Sequence, residues 1–488
     1  MKIFEMLPHK GVRRIDYVSH RIELGADTYT EGKISIEKID ELCRVLKDFQ
    51  RIMAGYQVES WRACATSAVR EAQNKLQLVE HVKRTTGIEI ENLDNSEQRF
   101  LDYKSVALGV RDFFKIIQES TAIVDVGSGS IQISLFDKDK LVTTQNIRIG
   151  NLRIREKVAD LAGKTLHMEA MVEELISNEI ISFKKMYLKD RQIRHLVVGG
   201  DYVSDLLEKE SVSSEEFKAL FMKVIECSPE EIAREYGIPS ESASLILPSL
   251  TLYKRLIEEL GAETIWVTDM ALSDGMAYDF AQKKKYIRVE HDFNDDIIAA
   301  ARVIAKRYQC SKVHIKNLEN IALSIFDKMK KVSGMNQRHR LLLQIAVILH
   351  GCGKYINLSN AADCSYNIIM STEIIGLSLK ERRIIANAVK YNTQEFHYED
   401  AASRLGMSPD DYLLILKLTA ILRVSNALDR SHKQKFENIK VQQKEHELII
   451  STDTREDITL EKGLFPPKAE FFEDVFHVRP VIHQKKHF

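Results

Sequence analysis

Long apolar runs are missing from this 488-residue chain. Its most apolar stretch, Leu413 to Leu422, is broken by Lys417 and falls short of the roughly 18 residues a membrane helix needs. The opening MKIFEMLPHK holds no apolar core of signal-peptide length, so neither a leader nor a membrane partner is expected. Cysteine is sparse. Cys43, Cys64, Cys227, Cys310, Cys352 and Cys364 are scattered with no CxxC pair, which argues against a disulfide or zinc framework and for free thiols in a reducing cytoplasm. With 21 glycines and 8 prolines the chain is neither collagen-like nor low-complexity, and 44% hydrophobic residues exclude a mostly disordered one. No charge excess exists either: 70 Lys+Arg face 71 Asp+Glu. Nucleic acid is therefore not expected as a bulk electrostatic partner, although a local basic channel is compatible with the balance.

The length suggests about two to four domains. Up to residue 283, strand and helix signals alternate, which points to α/β architecture. Strand-like runs are Ile15–Ile22, Ala122–Val126, Ile131–Phe136, Leu141–Ile147 and His195–Val198. Ile39, Leu42, Val45, Leu46, Phe49 and Met53 share one helical face. From 284 to 435 the pattern becomes all-helical, with a stripe of Leu318, Ile321, Ala322, Ile325 and Met329. Strand signals return after 436, and His477, His483 and His487 read as a loose tail. Expected domains are thus 1–113, 114–283, 284–435 and 436–488. Residues 1–25 echo 131–150: apolar strand, polar turn, second strand, Arg-Ile and a Gly. The echo makes the α/β region two similar halves, the second preceded by VDVGSGS and the first by nothing.

That VDVGSGS segment carries the chemistry. An apolar strand ends at Asp125, followed by Gly127, Ser128, Gly129 and Ser130, then another strand. Successive amides in such a loop can converge on one oxyanion, and the serine hydroxyls add donors. Asp125 beside it suits a hydrated Mg2+. The segment lacks GK[ST] and opens into a strand, so it is neither a P-loop nor a dinucleotide fingerprint.

ATSAVREAQN (65–74), NSEQRFLDYKSVALGV (95–110), VDVGSGSIQISLF (124–136), VVGGD (197–201) and TDMALSDGMAYDFA (268–281) resemble the exopolyphosphatase/guanosine pentaphosphate phosphohydrolase (Ppx/GppA) family. The resemblance implies two RNase H-like domains of the actin and sugar kinase superfamily, then an all-helical HD-like domain and a small C-terminal α+β tail domain. It implies release of terminal orthophosphate from inorganic polyphosphate, or conversion of guanosine pentaphosphate to tetraphosphate, with Mg2+, in the cleft between the two α/β domains. By the same resemblance Asp125 holds metal, residues 127–130 and Arg70 bind phosphate with Thr66 and Ser67 nearby, and Gly199 and Gly200 line the nucleotide side. A cytoplasmic homodimer is the implied assembly.

The chain departs from the family at several positions. The family's second glutamate in its SGxEEAR run falls on Gln98, so Glu97 is the candidate base, with an acid at a helix N-terminus that supports the dipole as its alternative role. The acidic residue after the second loop is Gln132. A first phosphate loop and leading strand are absent ahead of Met1, which suggests a missing upstream segment. The HD pattern falls on His314, His350, Gly351 and Asn426, with two of the usual ligands replaced, so that domain reads as structural or regulatory. Lys283, Lys284 and Lys285 could guide a polyanion or simply form a solvated linker. These departures keep a second reading open, a catalytically impaired sensor of polyphosphate or guanosine tetraphosphate.

Overall fold

The structure, a computed structural model, describes residues 1–8, 11–159, 168–188, 191–199, 203–207, 209–239, 243–289, 291–396 and 407–485. The chain divides into two compact units, Met1–Asp292 and Phe293–Phe488. Among the described residues no helix is long and apolar enough to cross a membrane.

The first half of unit one opens with an antiparallel hairpin, β1 (Lys2–Leu7) and β2 (Gly11–Tyr17). The strand expected over Ile15–Ile22 therefore begins earlier and ends at Tyr17, because Gly11 at φ +85 starts the return and the ladder closes by Lys2↔Tyr17. Helices α1 (Leu24–Thr30) and α2 (Ile36–Gly55) follow, then β3 (Ala63–Ala65), α3 (Ser67–Glu71), α4 (Lys75–Thr86), β4 (Ile90–Asn92) and α5 (Asn95–Gly109). Ile39 and Cys43 of α2 join Leu78 and Val82 of α4 in a small core. β3 and β4 pair in parallel, and β1–β2 is a separate sheet.

The second half builds one six-stranded sheet. β5 (Thr121–Val126), β6 (Ile131–Asp137) and β7 (Lys140–Ile147) form an antiparallel meander. Helices α6 (Asn151–Ala159) and α7 (Met168–Phe183) come next. β8 (His195–Gly199) and β10 (Thr264–Thr268) continue the sheet in parallel, and β9 (Ser211–Ser213) closes the edge, for an order β7-β6-β5-β8-β10-β9. Helix α8 (Ile246–Leu260) covers one face. The echoed segments, 1–25 and 131–150, each hold an antiparallel hairpin. They differ in context. In the second half β5 lies between β6 and β8. In the first half no described strand joins β1–β2 to β3–β4.

Alternation assigns the two faces of β5–β6. Ala122, Val124, Val126, Ile131, Ile133 and Leu135 enter the main core with α7 and α8. Thr121, Ile123 and Asp125 point the other way, opposite Phe136, Ser134 and Gln132. Helix α5 covers that second face, with its Tyr103 ring 5.0 Å from Phe136. Helix α9 (Leu272–Lys283) packs on α5, joined by the buried Lys104–Asp279 ion pair at 2.7 Å.

Unit two is helical at first: α10 (Phe293–Arg307), α11 (Lys312–Ser333), α12 (Gln337–Leu349), α13 (Leu379–Lys390) and α14 (Pro409–Leu428) are its longer helices. All five residues of the α11 stripe are fully buried. Strands β11 (Ile439–Lys444), β12 (Glu447–Thr452) and β13 (Arg479–Gln484) make a three-stranded sheet. The loose tail expected around His477 and His483 is instead ordered, because β13 pairs along the whole of β12. His487 lies outside the described residues.

Candidate functional site

The Gly-Ser loop joins β5 to β6, and its carbonyls are tied back. Those of Gly127 and Ser128 accept from the amides of Asn151 and Arg153 at 3.1 and 3.0 Å. That of Gly129 accepts from Arg153 Nε at 3.0 Å. In a trans peptide the C=O of one residue and the N–H of the next point in opposite directions. Anchoring three carbonyls at the start of α6 therefore turns the amides of Ser128, Gly129 and Ser130 away from it. None of the three has a partner among the described residues, whereas Gly127 N–H is turned inward onto Ser130 O at 3.0 Å. The anchorage depends on Gly150, where a Cβ would stand 2.4 Å from Gly127 O and 2.5 Å from Gly129 N.

The first half closes on this loop. A Cβ on Gly129 would lie 2.3 Å from Tyr29 Oη and 3.0 Å from Ser67 Oγ, and those two oxygens are 3.0 Å apart. The Arg153 guanidinium stacks 4.3 Å over the Tyr29 ring. Glu71 pairs with Arg153 and Arg148 at 2.8 and 2.7 Å. Burial works against ionising Glu71, but the hydrogen bonds from Arg153 and Arg148 hold it below its ordinary value. Arg70 donates to Leu93 O at 2.7 Å and reaches Gln98 Oε1 at 3.4 Å. Thr66 precedes α3, and its carbonyl accepts from the Arg70 amide.

Carboxyl groups gather on the α5 side of the sheet. Asp125 and Gln132 are direct partners across β5–β6, so their side chains stand side by side on the face that α5 covers. Gln132 is 3% exposed, and its Oε1 has no partner among the described residues. Asp102 of α5 presents a covered Oδ2 that is also without a partner among the described residues. Burial, then the charge of Asp125, pushes the Asp102 carboxyl well above the usual range, against a hydrogen bond from Gln98 and the charge of Arg99. Such a set fits a divalent cation, whose charge would relieve the repulsion. Among the described residues no group of three or more His, Cys, Asp or Glu could hold a metal ion. Mg2+ is commonly held by one or two carboxylates, water and substrate phosphate.

Glu97 occupies the third position of a capping box at the start of α5. Its Oε2 accepts from Asp94 N at 3.2 Å while Asp94 Oδ1 accepts from Glu97 N at 2.9 Å. Gly199 ends β8 level with Asp125 in the adjacent parallel strand, the end of the sheet where α/β proteins place ligands. Gly200 lies outside the described residues. Lys283 pairs with Asp279 at 2.8 Å. Tyr29, Glu71, Asp102, Gly150 and Arg153 escaped the sequence reading. Glu71 and Asp102 lie inside the segments 65–74 and 95–110, and Gly150 closes the echoed stretch 131–150, but the pattern singles out none of them.

A family model described as the Ppx/GppA phosphatase family matches residues 9–284, and one described as Ppx/GppA phosphatase, domain III, matches 298–464. A guanosine-5'-triphosphate,3'-diphosphate pyrophosphatase of Aeromonas hydrophila is 19% identical over 425 residues, covering 85% of this chain and 82% of that protein. The crystal structure of an exopolyphosphatase from Cytophaga hutchinsonii aligns with a TM-score of 0.51 at 19% identity, covering 58% of this chain and 94% of that one. An Aquifex aeolicus Ppx/GppA member aligns at 0.49 and 20% identity, covering 60% and 94%.

Proposed function

The chain belongs to the Ppx/GppA phosphatase family, and on that premise we propose that it releases terminal orthophosphate from inorganic polyphosphate. The observation that carries this reading is the row of outward-turned amides at Ser128, Gly129 and Ser130. Three N–H donors with two serine hydroxyls form a seat for one tetrahedral anion. Arg70, at the edge of the first half, adds a guanidinium fork suited to phosphate oxygens.

The chemistry follows from positioning and charge. The terminal phosphoryl group rests on the loop amides. Glu97 accepts a proton from water as the water oxygen bonds to the terminal phosphorus. The bridging P–O bond breaks, the shortened chain leaves as an anion, and the glutamic acid returns its proton to solvent. Asp125 would hold Mg2+, which supplies charge neutralisation for the phosphates. Guanosine pentaphosphate presents the same terminal anhydride, and the Aeromonas relative's name makes it the alternative substrate.

A phosphate-release assay on long polyphosphate and guanosine pentaphosphate tests this. Release from polyphosphate at the higher kcat/KM is expected. Preference for guanosine pentaphosphate would reassign the substrate. Binding of either with no phosphate release would favour the sensor reading, which draws support from the engagement of Glu97 in the capping box and from Gln98 and Gln132.

A further inference from the structure

We propose that Asp102 is a cation-holding residue, forming with Asp125 and Gln132 a divalent-metal seat beneath the Gly-Ser loop. The inference rests on the phosphatase reading above and extends it to a residue that lies outside the loop. Three observations converge on it. The first is register. Asp125 and Gln132 face each other across β5–β6 on the side opposite the main core. The second is coverage. That side is roofed by α5, the helix that carries Asp102. The third is a pair of orphaned acceptors, Asp102 Oδ2 and Gln132 Oε1, both buried and both without a hydrogen-bond partner among the described residues.

A buried acceptor with nothing to accept from is destabilising, the more so when charged. Two ionised carboxylates and an amide oxygen present acceptors to one another, and a divalent cation would satisfy both orphans at once. Oxygen-only ligation with two carboxylates suits a hard ion such as Mg2+ or Mn2+, with remaining positions left to water and phosphate. The carboxylate that Gln132 does not provide is supplied by α5, which covers this face of the sheet. Gln98 donates to Asp102 and receives from Arg70. The cation seat and Arg70 are thus joined by one side chain, which orients the ligand as outer-shell groups do.

The test uses the full chain without substrate. Mn2+ is titrated in and free Mn2+ is read by electron paramagnetic resonance. The wild type should hold one Mn2+ per chain that Mg2+ displaces. D102N and D125N should each weaken it by about 10-fold or more, and Q132E should tighten it. Wild-type affinity in D102N overturns the proposal, as does the absence of Mn2+ binding in the wild type. D102N is also followed by thermal unfolding in EDTA, where it should match or exceed the wild type because one of two repelling carboxyls is gone. Should D102N not fold, Q132E decides, and unchanged affinity there overturns the seat. Mn2+ binding is read without turnover. Normal binding with no phosphate release would therefore sink the hydrolase reading alone, and intact release with unchanged D102N binding would sink the seat alone.

Discussion

Glu97 serves two demands with one carboxylate. Its Oε2 closes the capping box that starts α5, and the proposed reaction asks it to take a proton from water. The two roles can be separated because a capping box accepts Gln in place of Glu. E97Q keeps an acceptor oxygen for Asp94 N but cannot act as a base at neutral pH. We expect E97Q to lose about 100-fold or more in kcat with its unfolding midpoint in urea little changed. Activity close to wild type in a folded E97Q would remove Glu97 from the chemistry and leave it as a cap. A comparable loss of activity with a large drop in stability would instead mark a structural defect. The loop is more exacting. Gly150 admits no Cβ without meeting Gly127 O and Gly129 N. G150A should therefore displace the amides and weaken phosphate-analogue binding, even though Gly150 itself contributes no donor to the seat.

Helix α5 is the element on which the site turns, since Glu97, Gln98 and Asp102 all ride on it. Its position is set by α9. At Gly275 an added Cβ would stand 2.0 Å from Leu101 O, so the two helices meet backbone to backbone, and the Lys104–Asp279 pair locks them. G275A should gain a little helix propensity, at most about 1 kcal/mol, and lose more to overpacking, about 1–3 kcal/mol. Urea unfolding should show net destabilisation, and Mn2+ affinity should fall as Asp102 shifts. G463A, whose Cβ would meet nothing, should be neutral or stabilising in the same assay.

What the sequence disclosed, and what it hid, also divides by element. The loop was legible because glycines and serines between two β-rich runs have few other uses. The hairpin echo was legible because period-2 patterns survive on strands of six to eight residues. β3 and β4, with three residues each, are too short to show any alternation. Asp102 gave no sign either. It follows Glu97 by five positions inside a helical run, and its partner Asp125 is fixed only when α5 is laid across the sheet. Tyr29 and Ser67 meet 38 residues apart, a contact that no local pattern encodes.

At the scale of the whole molecule, the second unit carries a pH dependence of its own. A cavity of about 310 Å³ there is lined by His314, His350, His432, Lys354, Tyr308 and Tyr355, among others. His350 Nδ1 donates to Val347 O at 2.7 Å, and its ring lies 5.2 Å from that of His314. His314 is itself hydrogen-bonded to the buried Asp429 at 2.6 Å. Burial first, then the charges of His314, Lys354 and His432, drive His350 down to about 3. Burial and the charge of His314 lower His432 as well, against the pull of Asp429. A histidine whose folded value lies below its unfolded value of about 6.5 takes up protons more readily in the unfolded chain. Between about 6.5 and 3 the unfolded state then binds the extra proton, and stability falls as pH falls. The contribution is complete above about 6.5, and its loss reaches a few kcal/mol by the acid end of that window. Urea unfolding of the second unit's helices at pH 7.5 and pH 5 should show the midpoint dropping. H350Q, which cannot be protonated there, should lessen the drop, leaving the part that His432 and His339 supply, the latter lowered by burial and Lys417. An H350Q profile as steep as the wild type would mean that His350 takes up its proton equally in the folded and unfolded states over this range and that the acid sensitivity lies elsewhere.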